Sequence, residues 1–274
     1  MEMQLKITKS AIYLKSFLHT SSGPTSSNIL HPYFISGFSD ASLAPFDKVD
    51  GAAKKALVIW GTNLTSTVGV KFTHKQLAMV QLAPYQYSVI IGLLLSDGWL
   101  ILASKTHKNA RLGFKQSGAQ GGYFWSVFWS LSHYCSSYAT LRLQTRLGKK
   151  NISWEFFTRS MPCMTELHSI FYPNGIKVIP QNIYNMLTPV ALAHLIMGDG
   201  SAQRHGLIIC TDSYTIPEVV RLMNVFMIRY RLDCTLRFHT PTQPRIYIRE
   251  GYLAKLQGIV GPFMHPSMLY KIVK

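Results

Sequence analysis

Two stretches of the chain carry apolar runs that stop abruptly at Asp-Gly: VIIGLLLSDGWL (Val89–Leu100) and ALAHLIMGDGSA (Ala191–Ala202). Each follows a start signal, Leu82-Ala83-Pro84 and Leu187-Thr188-Pro189. Proline suits a first helical position because the N–H it lacks has no helical partner there, and Thr188 is a fair N-cap. Glycine just past the last turn, at Gly98 and Gly200, is a good stop. The pattern predicts two helices, each delivering a carboxylate (Asp97, Asp199) at its C-terminal end. The helix dipole is negative there and repels an anion. A nearby cation removes the conflict, and a divalent metal is the obvious candidate.

Elsewhere the period is two. In Arg111–Ser117, Arg111 and Lys115 share one face while Leu112 and Phe114 share the other. A helix at Tyr123–Cys135 follows, then strands at Leu141–Arg146 and Ile152–Arg159 and a helix at Met161–Phe171. After the second Asp-Gly come a strand at Leu207–Thr211 and an amphipathic helix at Val219–Tyr230. Strands at Thr235–His239 and Arg245–Arg249 and a helix at Tyr252–Val260 complete it. Helix, two strands, helix, two strands, helix thus occurs twice, a pseudo-repeat set by the hundred-odd residues from Asp97 to Asp199. The expected architecture is α+β: an extension over 1–80, then αββαββα units over 81–180 and 181–274. Ser21 to about Thr67 is rich in Ser, Gly, Thr, Pro and Asn, and the extension is expected to be partly disordered.

Charge narrows the function. Only 15% of residues are charged, yet 28 are Lys or Arg against 12 Asp or Glu. Residues 84–274 hold 20 of the basic residues and 8 of the acidic ones, two of which are Asp97 and Asp199. Such an excess points to a polyanion, nucleic acid or an anionic membrane surface. Val89–Ala103 is about 15 residues with Asp-Gly inside it, short of the roughly 20 that span a bilayer, and the N-terminus lacks a signal-peptide layout. The four cysteines (Cys135, Cys163, Cys210, Cys234) form no C-x-x-C pair, which argues against structural zinc and a disulfide scaffold.

Each unit offers a sheet with one apolar and one basic face. Two such sheets related by a pseudo-twofold make a long concave basic surface, matched to the approximate twofold of duplex DNA, and a β-ribbon fits the major groove. The side chains placed to touch DNA are Arg111, Lys115, Arg142, Gln144, Arg146, Arg237, Arg245 and Tyr247, with Lys105 and Arg204 completing the set. The motif helices are expected to pack on each other through small residues (Gly92, Ser96, Gly198), with bulky His194 standing where the first copy has Gly92. Side by side, they bring Asp97 and Asp199 together, where bound Mg²⁺ could position water for phosphodiester hydrolysis.

These residues resemble the LAGLIDADG homing endonucleases in their single-chain, two-motif form. IIGLLLSDG and LAHLIMGDG carry the resemblance, with FYPNGIKVIP (Phe171–Pro180), LTPVALAHLIMGDGS (Leu187–Ser201) and GPFMHPSMLYKI (Gly261–Ile272) matching an organellar, intron-encoded subgroup. The resemblance runs from about Leu82 to the C-terminus. It implies a DNA-binding saddle built from two αββαββα units, with Asp97 and Asp199 as metal ligands and the backbone at Gly98 and Gly200 near the metal. It also implies polar or basic residues near the scissile phosphates at strand ends, which fall at Gln116 and Arg159 in the first unit and at Asp212 and Arg249 in the second. The implied cofactor is Mg²⁺ or Mn²⁺, the partner a double-stranded DNA target bound by a monomer without a membrane, and the compartment the mitochondrion ahead of the chloroplast. Two alternatives stand beside the endonuclease: an RNA maturase assisting a group I intron, and a decayed DNA-binding relative.

Overall fold

The computed structural model describes residues 64–102, 108–146 and 149–273; nothing is described of the side chains of residues 146, 149 and 150. The expected disorder of residues 1–63 and the side chain of Lys105 lie outside the described residues.

Helix α1 (His74–Met79) opens the described chain, closed at its N-terminus by a capping box between Thr73 and Gln76. The first motif helix, α2, is Pro84–Leu95 with proline in its first turn. After the Asp-Gly turn come β1 (Trp99–Leu102), β2 (Ala110–Ser117) and α3 (Gly121–Leu131), then β3 (Thr140–Arg146), β4 (Lys149–Phe157) and α4 (Pro162–Phe171). A short helix, α5 (Ile183–Met186), leads into the second motif helix, α6 (Pro189–Asp199), which Thr188 caps through the Ala191 N–H. The same order follows: β5 (Gly200–Gln203), β6 (Gly206–Cys210), α7 (Ile216–Tyr230), β7 (Cys234–Phe238), β8 (Pro244–Arg249) and α8 (Leu253–Val260). A 3₁₀ segment, Pro266–Lys271, closes the chain.

The strands form two antiparallel sheets with matching orders, β1-β2-β4-β3 and β5-β6-β8-β7. Strands β1 and β5 are four residues each, too short for a clear alternation to mark them in the sequence. Alternation sorts the remaining side chains. Leu112, Phe114 and Phe156 of the first sheet, and Leu207, Ile209, Ile246 and Ile248 of the second, are buried toward the helices. Arg111, Lys115, Arg142, Gln144, Arg237, Arg245 and Arg249 occupy the other faces.

Helices α2 and α6 are buried on nearly all sides, which explains why their runs read as apolar throughout rather than amphipathic. They cross at Gly92, where an added Cβ would strike the Ala191 carbonyl and the His194 Cβ. Gly92 and His194 occupy equivalent places, each five residues before its aspartate, so the bulk of one is seated against the absence of a side chain in the other. The His194 ring turns to the Tyr123 hydroxyl of α3, with Nδ1 3.1 Å away. Burial pushes His194 down to about 3, so the ring is neutral. Nearer the aspartates, Ser96 packs on Gly198, where a Cβ would lie 2.6 Å from that of Ser96.

Within the expected extension, residues 64–72 are attached to the end of the first sheet. Arg159 binds them. Its guanidinium donates to the carbonyls of Thr67 and Val70, each at 2.8 Å, and to the Thr67 hydroxyl at 2.7 Å. It also lies over the Phe72 ring, 4.2 Å from the centroid.

Candidate functional site

The chain turns at the end of each motif helix, and the two turns meet. Asp97 follows the cap of α2 and is exposed; Asp199 is the last residue of α6 and is partly buried. A Cβ added to Gly198 would lie 3.2 Å from the Asp97 Oδ2, so the first carboxylate rests against the end of the second helix. Burial, and next the charge of Asp97, push Asp199 up to about 7. Gln116, at the C-terminal end of β2, donates from Nε2 to the Asp97 Oδ2 at 2.6 Å. The amide at this strand end is therefore where the sequence placed it.

An ammonium lies at each helix end, and these two lysines had no place in the sequence-based site. Lys177 Nζ donates to the carbonyls of Ser96 (3.0 Å) and Gly98 (2.8 Å). Lys271 Nζ donates to the carbonyls of Met197 (2.6 Å), Gly198 (3.0 Å) and Ile196 (3.4 Å). Both relieve carbonyls that a helix end leaves unpaired and set positive charge where the dipole is negative. Burial draws Lys177 down to about 8, against the opposing pull of Asp199 and Asp97. Lys271 is lowered for the same reason, with the same two carboxylates opposing. A signal existed. The one lysine in each of the phrases FYPNGIKVIP and GPFMHPSMLYKI follows its aspartate at comparable distance, 80 residues (177 − 97) and 72 residues (271 − 199).

Strand direction sets two of the expected active-site residues, Arg159 and Arg249, away from the aspartates. β2 runs back toward Asp97, so its end brings Gln116 there; β4 is antiparallel to β2 and runs away. The residues that follow β4 therefore reach the far end of the sheet, where Arg159 is consumed by the strap at 64–72. Arg249 is displaced likewise. It pairs in register with Gly206 at the β5–β6 turn, whereas Gly200, beside Asp199, pairs with Ile209. Its nearest anion is Asp233 at 3.6 Å. Asp212 does lie near the pair, since its charge helps to raise Asp199. It is held by Arg245, however, with Nε to Oδ1 at 2.8 Å and Nη2 to Oδ2 at 2.7 Å, and this contact lowers the Asp212 carboxyl. Of the two backbone positions, the Gly98 carbonyl is taken by Lys177, and Gly200 opens the β5 ladder.

The open faces of the sheets hold most of the expected polyanion contacts. Arg142 (bonded to Glu155 at 2.7 Å), Gln144 and Arg237 are exposed, and Lys115 is half-buried, 3.4 Å from Gln144. Arg204 is exposed in the β5–β6 turn, and Arg146 ends β3. Two guanidiniums are stacked: Arg111 over Phe157 at 4.3 Å and Arg237 over Tyr247 at 3.4 Å. Tyr247 is a platform rather than a free contact, because it is buried and its hydroxyl donates to the His205 carbonyl at 2.6 Å. No helix among the described residues is long and apolar enough to cross a membrane.

Comparison with known proteins gives the chain's family. The chain is 31% identical over 174 residues to the cytochrome b mRNA maturase bI2 of Debaryomyces hansenii, the match covering 61% of this chain and 66% of that protein. To the maturase of the same name from Saccharomyces cerevisiae it is 31% identical over 198 residues, covering 68% of this chain and 46% of that one. The chain thus spans two thirds or less of the length of these two relatives. A probable intron-encoded endonuclease of Wickerhamomyces canadensis is 27% identical, with 70% and 85% covered. Among solved structures, the homing endonuclease I-WcaI bound to its DNA recognition sequence superposes with a TM-score of 0.66 at 26% identity, covering 71% of this chain and 88% of that one. The model of the LAGLIDADG DNA endonuclease family matches residues 87–256, more than half of the sequence. The chain belongs to the LAGLIDADG DNA endonuclease family.

Proposed function

We propose that this chain is a site-specific, double-strand DNA endonuclease, acting as a monomer in the mitochondrion on the uninterrupted insertion site of its own intron. The observation that carries the reading is the meeting of Asp97 and Asp199 at the ends of two crossed helices, between two sheets whose open faces carry arginines. The two-unit organisation gives each DNA strand one aspartate, one lysine and one sheet.

The residues fit a hard dication. Two carboxylates meet there, and burial first and the Asp97 charge second push Asp199 up to about 7, which a divalent charge would relieve. The pair suits Mg²⁺ or Mn²⁺, which keep several waters and need only one or two protein carboxylates. Asp97 and Asp199 would hold the ion, which when bound supplies charge stabilisation and an activated water for phosphodiester hydrolysis. The chain's own groups do the rest. Gln116 orients Asp97 and leaves its other oxygen available. Lys177 and Lys271 place positive charge beside the pair, where a phosphodiester gains negative charge in the transition state. The sheet arginines supply phosphate and base contacts.

The test is cleavage of duplex DNA carrying the uninterrupted insertion site in the presence of Mg²⁺. A double-strand cut is expected, and Asp97→Asn or Asp199→Asn should abolish it while binding persists. Cutting that survives both substitutions refutes the mechanism. A second reading, a maturase for a group I intron, is favoured by the names of two relatives. Assisted splicing that persists in the double variant, with no cutting by the wild type, would select it.

A further inference from the structure

The halves differ at the sheet end nearest the carboxylates. In the second half Arg237 and Arg245 are direct partners in the β7–β8 ladder, a like-charged pairing that is unfavourable when nothing separates it. Two contacts separate them. Arg237 lies over the Tyr247 ring, whose hydroxyl is fixed to the His205 carbonyl. Arg245 turns the other way into Asp212, which takes its Nε and Nη2. This uses one edge of the guanidinium. The end fork, made by Nη1 and the second hydrogen of Nη2, points away from Asp212. The Arg245 side chain keeps 22% of its surface exposed. It shares the open face with Arg237, opposite the buried Ile246 and Ile248. Its ladder partner is Cys210, next to Ile209, which pairs with the Gly200 that follows Asp199.

Guanine offers two adjacent acceptors, O6 and N7, in the major groove, and a guanidinium fork matches them. A free arginine spends rotamer entropy to present that fork and can swing to a phosphate instead. One clamped along its other edge does neither. We propose that Arg245 reads a guanine close to the cleavage centre in the half-site bound by the second half, with Asp212 as its positioning residue rather than a group acting on the scissile phosphate. The first half has no counterpart. Matched from the motif aspartates, Lys115–Glu155 occupies the register of Cys210–Arg245, so an anion that pairs with Arg142 stands where the second half has its reader. The inference rests on the proposed reading that the chain binds duplex DNA.

The experiment selects bound duplexes from a randomised DNA pool, using the full chain in chelator so that binding is read without cutting. The wild type is expected to enrich a sequence with a fixed guanine. Arg245→Gln should move that one position to adenine, whose N6 and N7 suit a glutamine amide. Asp212→Asn should weaken the guanine preference roughly tenfold and leave other positions unchanged. Arg245→Lys keeps the ion pair but lacks the fork; it should lose the preference even if Asp212→Asn fails to fold. Unchanged selection by Arg245→Gln and Arg245→Lys overturns the inference and leaves the endonuclease reading standing. Asp212→Asn with intact base preference but no cleavage in Mg²⁺ overturns the role given to Asp212. No enrichment of any duplex by the wild type removes the DNA reading, and the inference with it.

Discussion

Asp199→Asn should make the metal-free protein more stable while destroying its proposed activity. The Asp199 carboxyl is raised from the ordinary 3.8 to about 7, by burial first and Asp97 second. The unfolded chain ionises near 4, so below that pH both states carry the proton and the side chain costs nothing. As pH rises toward 7 the unfolded chain gives up its proton while the folded chain keeps it, and folding weakens throughout that window. Above about 7 both are ionised and the cost stays level. At about 1.4 kcal/mol per pH unit the interval corresponds to roughly 4 kcal/mol. Asp199 is not fully buried, and solvent screening brings the expected gain nearer to about 2 kcal/mol. For a folded region of this size that is roughly 4–8 °C in melting temperature. The assay is thermal or urea unfolding in chelator, wild type against Asp199→Asn, at pH values from 4 to 8. The curves should coincide at pH 4 and separate to a constant gap above pH 7. A gap of the same size at pH 4, or a variant less stable at pH 7.5, would refute the electrostatic account.

Three further outcomes are expected. Mg²⁺ added at pH 7.5 should raise the melting temperature of the wild type and leave that of the Asp199→Asn variant nearly unchanged, since a ligand stabilises only the form that binds it. Gly92→Ala should destabilise by roughly 1–3 kcal/mol through overpacking against the Ala191 carbonyl and the His194 Cβ, and His194→Ala, which keeps that Cβ, should give no recovery in a double-mutant cycle. Arg159→Met should free residues 64–72 by removing three strong hydrogen bonds, read as new protease cleavage there and a stability loss of about 2–3 kcal/mol.

How much of this was legible depended on whether the signal was local. The motif helices announce themselves through start, stop and composition within a dozen residues, and Asp97 and Asp199 follow from them. Gln116 comes from the resemblance, applied to the end of a strand that is long and alternates cleanly. Arg159 and Arg249 were misplaced because the end of a strand has no direction in a sequence; only the antiparallel ladder says which end meets the aspartates. Lys177 and Lys271 were missed because each acts across about 75 residues of chain and lies outside any periodic element. Asp212, which the resemblance sets near the scissile phosphates, is held by Arg245, and only the ladder brings the two together.

The seat of His194 on Gly92 has a consequence for ancestry. A protein assembled from two identical halves could exist only while the residues at that crossing were small on both sides. Two copies of the second half would now collide there, since a Cβ at both places does not fit. The second half can no longer serve as its own partner, so the first cannot be lost from the gene and a duplicate of the second put in its place. The chain has become, at one residue pair, an obligate partnership with itself.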